Sequence, residues 1–128
     1  MSLRKAQDYD RYARSLMSPP DLTESAFDGL DLRGFVLSGV NARKSSFVGT
    51  DLRGAKMVRA NFSSCDFSNA NLAGADLRRS SFEGAIFVGA DLTDVDFSGS
   101  NLSGARLEGA TKDNMDLSNC ELMRARFR

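Results

Sequence analysis

Among the residues that could do chemistry, the carboxylates are the most regularly placed. Asp76, Asp96 and Asp116 recur at twenty-residue intervals, within a larger set that includes Asp31, Asp51, Asp66 and Asp91. A pair of carboxylates brought together can divide the work of general acid and general base. The other reactive groups are few: Cys65 and Cys120 are the two thiols, and the chain has no His. The commonest general base and a common metal ligand are therefore missing, and two thiols do not complete a zinc site. No Gly-rich phosphate loop, no G-x-S-x-G elbow and no H-E-x-x-H segment occurs. The carboxylates share their spacing with the rest of the chain, which assigns them to architecture before it assigns them to a reaction. A non-enzymatic protein without cofactor or metal is the expectation.

The elements that would position these side chains are legible in a short stretch, NLAGADLRRSSFEGAIFVGADL, where Leu72, Leu77, Phe82, Phe87 and Leu92 return at every fifth residue. Neither a helix, near 3.6, nor a strand, at 2, has that period. Extended over residues 20–128, the register has 22 centres from Leu22 to Phe127, of which twenty are Leu, Phe or Met and only Ala42 and Lys112 depart. Two residues before the centre stand nine Ala, four Ser, Cys65, Cys120 and Thr50, with larger residues such as Leu30, Phe35 and Met115 among them. These form a second inward column. All eleven glycines fall two residues after a centre, where a tight corner requires unusual backbone angles. The residue just before the centre is Asp or Asn in twelve of the 22 units, placed to hydrogen-bond nearby backbone and close each corner.

Segments such as ANLAGADLRRSSFEGAIFVGADL and GSNLSGARLEGA resemble the pentapeptide-repeat family, whose pattern is A-(D/N)-L-x-x. The resemblance implies an all-β solenoid: a right-handed quadrilateral β-helix with four pentapeptides per coil. Centres twenty residues apart are then vertical neighbours, and Phe and Leu do segregate by column: Phe27, Phe47, Phe67 and Phe87 in one, Leu32, Leu52, Leu72 and Leu92 in another. The solenoid spans 20–128 in about five and a half coils, roughly 25 Å at the inter-strand spacing. Cys65 and Cys120, 55 residues apart, lie on different sides and are not expected to bridge.

The two ends read differently. Leu3, Ala6, Tyr9, Ala13 and Leu16 follow helical spacing before Pro19 and Pro20, so residues 1–19 read as a short amphipathic N-terminal capping helix, over 2–17, and its turn. The repeat continues to Phe127 without a second such helix. Leu122 and Phe127 then stand at a C-terminal rim with Lys112, whose ammonium is costly in a buried centre and can reach outward there. Two arrangements follow: a homodimer through the C-terminal coil, with Lys112 facing a partner copy's acids, or a monomer with Lys112 in solvent.

Lys plus Arg and Asp plus Glu are both 17, so no overall field draws the chain to nucleic acid or anionic lipid. With no continuous apolar run at its start, a cytoplasmic location without a membrane span is expected. The family includes DNA mimics that protect bacterial DNA gyrase and confer fluoroquinolone resistance. From Pro20 onward 15 acids face 13 bases, a weak excess for such a mimic, and the column Asp76, Asp96 and Asp116 is its best support. The other reading is an interaction or scaffold module for a protein partner. Its candidate patch is Val48, Ile86 and Val88 on one side, with Val36 and Val58 on another; Arg59 and Arg79, stacked beside Arg78, could bind an acidic segment.

Overall fold

The computed structural model describes residues 21–128; the expected capping helix lies outside the described residues. Each pentapeptide forms one side of a coil, and four sides return the chain to its starting azimuth. The register is explicit in the pairing: parallel bridges join Asp21 to Asn41, Ala26 to Ser46, Asp31 to Asp51 and Val36 to Lys56, and the twenty-residue offset holds through Arg106 to Arg126. Each side contributes one bridged residue per coil, so the sheet is a set of short parallel rungs. It has four faces, named here by their first centres: Leu22, Phe27, Leu32 and Leu37.

Every backbone N–H of a typical unit has a destination, as a buried solenoid requires. In the unit around Leu72, the Asn71 N–H donates to Thr50 O in the preceding coil, and the Leu72 and Gly74 N–H groups donate to Asp91 O and Thr93 O in the next. The Ala75 N–H closes the turn on Leu72 O, and the Ala73 N–H donates to Asn71 Oδ1. That last bond explains the recurrent Asp and Asn. All twelve of them accept from the N–H two residues on, at 2.8–3.3 Å. A side chain with one carbon between backbone and oxygen forms this ring without strain. Where the unit lacks Asp or Asn, the coil before can supply the acceptor: Asp28 Oδ1 takes the Val48 N–H and Ser38 Oγ takes the Val58 N–H.

The corner has the sign pattern of a type II turn, with positive φ at its second central residue. The glycines meet this demand, Gly74 at φ 71° for example, but ten corners carry other residues, including Lys44 (60°), Arg59 (53°) and Arg79 (55°). Sequence reasoning located the corners through glycine and left the non-glycine ones unmarked. Asn69, Asn114 and Asn119 are types that tolerate this region; lysine and arginine have no such advantage.

Inside, the Phe27 column stacks ring on ring, with centroids 4.7 Å apart from Phe27 to Phe47, 4.8 Å from Phe47 to Phe67 and 5.0 Å from Phe67 to Phe87. Phe62 and Phe82 form a second stack at 5.4 Å, which meets Phe67 edge-on, and Phe97 meets Phe82 at a right angle. Such pairs add about 0.5–1.5 kcal/mol each beyond area burial. The coil repeat, set by the backbone ladder, is also a stacking distance for rings.

Most hydroxyls of the small inward column are bonded as well as packed; the buried Ser25 Oγ has no partner among the described residues. The Ser45, Thr50, Ser80 and Ser100 hydroxyls donate to the carbonyls of Leu22, Phe27, Met57 and Leu77, each 23 residues earlier. Cys65 and Cys120 make the same bond through sulfur, to Ala42 O and Phe97 O, and both are free thiols. Burial pushes the Cys65 thiol up to about 12, so it behaves as a small core residue. Ala42 is fully buried in spite of its size, while Leu30 and Phe35, large residues in the small column, are half-buried against the core. Among the described residues no helix is long and apolar enough to cross a membrane.

Candidate functional site

Outward side chains belong to three positions per unit: one before the centre, one after it, and the corner. The first two project from the same side of a short extended segment, so oppositely charged residues there meet across the centre. Arg33 clasps Asp31 through two nitrogens at 2.9 and 2.8 Å, Arg53 clasps Asp51 at 2.9 and 2.7 Å, and Arg78 clasps Asp76 at 2.7 Å twice. Arg106 and Glu108 pair in reversed order at 3.0 Å. Arg33 also lies 3.8 Å from Asp51, which links two coils on the Leu32 face. The guanidinium beside it holds each aspartate below the ordinary carboxylate range, Asp31 at about 2. These carboxylates hold corners and arginines and are not poised for proton transfer.

The acidic column is real as an arrangement: Asp76, Asp96 and Asp116 are successive rungs of one ladder on the Leu37 face. Each is occupied. Asp76 holds Arg78, Asp96 accepts from the Ser98 N–H at 2.9 Å and from the Ser98 hydroxyl, and Asp116 accepts from the Ser118 N–H at 2.8 Å. Hydrogen bonding from Ser118 lowers the Asp116 carboxyl below its usual range. Among the described residues no group of three or more His, Cys, Asp or Glu is placed to hold a metal ion.

The apolar candidates are distributed unevenly. Val48, Ile86 and Val88 share the Phe27 face and are half-buried, with Ile86 bridged to Asp66. The more exposed apolar side chains are Val36 at 53%, Leu122 at 37% and Met123 at 74%. Met123 stands one residue after its centre, as Val48 and Val88 do, and was not among the apolar residues singled out from the sequence. At the rim, Phe127 is half-buried against the core. The Lys112 ammonium turns back to donate to Leu107 O at 3.2 Å and Ala110 O at 2.9 Å, in place of the outward reach the sequence suggested. Its long stem lets a cation at a centre position find carbonyl partners along the turn just before it.

Basic residues gather at one corner. Arg59 and Arg79 occupy successive corner positions between the Leu37 and Leu22 faces, both exposed, and among the described residues neither guanidinium has a hydrogen bond or ion pair. With Val58 and Arg78 they line a cleft of about 250 Å³. Lys56, exposed on the same face, is bridged to Asp76, and Val36 lies one coil above it. A second cleft, of about 420 Å³, is lined by Glu83, Gly84, Ser103, Gly104, Met123 and Arg124.

Residues 21–59, 60–99 and 100–128 match the family described as Pentapeptide repeats, in 8 copies. No curated protein matches the chain in sequence. Among solved structures, a trypsin-treated variant of QnrB1, a plasmid-mediated fluoroquinolone resistance protein, is 23% identical with a TM-score of 0.64 over 84% of this chain. This chain spans 55% of that one. A pentapeptide repeat protein from the Arabidopsis thaliana thylakoid lumen is 27% identical, with a TM-score of 0.48 over 74% of this chain and 63% of its own. One from the cyanobacterium Cyanothece is 24% identical, with a TM-score of 0.44 over 91% of this chain and 70% of its own. The five-residue period, the twenty-residue rungs and the family match together establish that the chain belongs to the pentapeptide-repeat family, whose solved members are right-handed β-helices.

Proposed function

We propose that the protein is a non-enzymatic interaction module, a stiff rod that presents side chains to a protein partner at one-coil spacing. The observation that carries this reading is the Leu37 face with its following corner. There Val36 is 53% exposed, and Arg59 and Arg79 are bound by no group among the described residues. Arginine beside apolar surface is the composition of interface hot spots. The Leu32 face is the opposite case, since its arginines are consumed by Asp31 and Asp51.

The second reading, a DNA mimic acting on gyrase, is favoured by the ladder Asp76, Asp96 and Asp116. Against it, Arg78 neutralises the first rung, and Lys56 stands directly above it. A photo-crosslinking residue placed at Val36, and separately at Ala73 on the Leu32 face, tests the interaction reading in cells. A discrete adduct from position 36 alone is the expected result, and an adduct of twice the chain mass would identify the partner as a second copy. Identical adduct patterns from both positions, or none, would overturn the reading. Protection of gyrase supercoiling by the purified protein would put the mimic in its place.

A further inference from the structure

Arginine is a costly choice at the corner position. Its backbone must hold φ at 53° in Arg59 and 55° in Arg79, a region that favours glycine, and glycine fills eleven corners of this chain. Some charged side chains elsewhere are held by an internal bond: Arg33, Arg53 and Arg78 each clasp an aspartate, and Asp94 at a corner accepts from Asn114 Nδ2 at 2.7 Å, while the corner residues Lys44 and Arg124 have none among the described residues. Arg59 and Arg79 likewise have none among them. They also stand one above the other on adjacent coils, which brings two like charges together with no ion-pair partner among the described residues.

The corner is shaped around them. Gly39 precedes them in the column and Gly99 follows, and a Cβ at position 99 would lie 3.2 Å from Arg79 Cγ. Glycine at 99 thus leaves room for the Arg79 side chain. Arg78, already turned toward Asp76, supplies the third guanidinium of the cleft, and Val58 supplies an apolar wall.

We infer that the Arg59–Arg79 corner is a binding site for carboxylates of an acidic segment in a partner protein. This deepens the interaction reading and rests on it. Two guanidiniums without partners among the described residues offer planar forks to which carboxylates bind in pairs, and the Val58 wall favours an acidic segment carrying an apolar side chain. The size of the patch selects the class of partner. The basic column occupies two coils, with neutral Gly39 before it and Gly99 and Asn119 after it, while Asp96 and Asp116 occupy the adjoining face below. A nucleic acid strand continuing past that patch would run beside carboxylates, whereas a short acidic segment would not.

The inference is testable with the intact chain and a fluorescein-labelled hexaglutamate peptide, read by anisotropy at low salt. Arg59→Gly with Arg79→Gly removes both guanidiniums at positions whose backbone suits glycine, so folding is retained, and circular dichroism checks this. The double variant is expected to bind at least tenfold more weakly, with a flatter salt dependence, while Arg53→Gln on the Leu32 face binds like the wild type. Equal binding by wild type and double variant would overturn the site. Tighter binding of a single-stranded oligonucleotide than of hexaglutamate would overturn the choice of an acidic protein. Cross-linking from Val36 without peptide binding would sink this inference and leave the interaction reading standing; loss of both would remove the two together.

Discussion

The arginines of this rod fall into two sets, and their difference lies in one step along the chain. Arg33, Arg53 and Arg78 follow their centre by one residue and share a side with the aspartate just before it. The two side chains project in parallel, so each guanidinium closes on its carboxylate at 2.7–2.9 Å. Arg59 and Arg79 follow by two residues. By then the chain has entered the corner: Asp76, the aspartate of Arg79's own unit, is held by Arg78, and the unit of Arg59 has Lys56 in that place. Arg78 and Arg79 are sequence neighbours with opposite fates. For these arginines, place within the pentapeptide separates the guanidiniums tied to an aspartate from those that are not.

That comparison presumes a core stiff enough to fix both sets, and the most severe way to break it is to hollow the core. Phe67→Ala removes the ring between Phe47 and Phe87 and is expected to cost about 3–5 kcal/mol in chemical denaturation. A loss below about 1 kcal/mol would mean that the stack does not carry the rod. A smaller effect of opposite sign sharpens the distinction. Arg59→Gly relieves a strained corner, partly offset by the freedom glycine adds to the unfolded chain, and should stabilise by about 0.5–1 kcal/mol. A destabilised variant in the same denaturation experiment would show that Arg59 has an internal role.

The smallest expected effect concerns the paired set. Asp31 is held at about 2, chiefly by the hydrogen bond from the Arg33 side chain, against an ordinary 3.8. A depressed carboxylate stabilises the fold above its unfolded value and loses that contribution as pH falls through the folded one. The Asp31–Arg33 pair therefore contributes at neutral pH and fades between about pH 4 and 2. Both partners are exposed, so water screens the interaction. Asp31→Asn should lower the urea midpoint slightly at pH 7 and leave it unchanged near pH 2. A difference that persists undiminished into acid would overturn the assignment of the effect to the Asp31 charge.

Much of this was legible in the spacing of residue types. The period of five, the segregation of Phe27, Phe47, Phe67 and Phe87 into one column, and the Asp or Asn before twelve of the 22 centres all reflect backbone constraints that repeat, so many repeats report the same thing. The turn-closing role of Asp and Asn holds at all twelve positions for that reason. Exposure was less legible, because an outward side chain is covered by its vertical neighbours and not by its sequence neighbours. Val48, Ile86 and Val88 lie half-buried where Val36 and Met123 stand out. Lys112 shows a third limit: its departure from the pattern marked the position, but the carbonyls of Leu107 and Ala110 that receive it depend on how the stem folds back.

The twenty-residue rung offset gives the rod a reading frame of its own. One extra residue between Asn69 and Ala70 would turn every later side chain out of step, core centres included, much as a single inserted base garbles a gene. Five extra residues would be silent to the core and yet rotate everything downstream by a quarter turn. Arg79 would then stand beneath Ser64, and Arg59 would be left alone on its corner. Twenty would keep every column intact and slide the two arginines one coil further apart. In such a rod the spelling of a surface can be edited by whole words, and the length of the inserted word decides whether a face is moved, parted or destroyed.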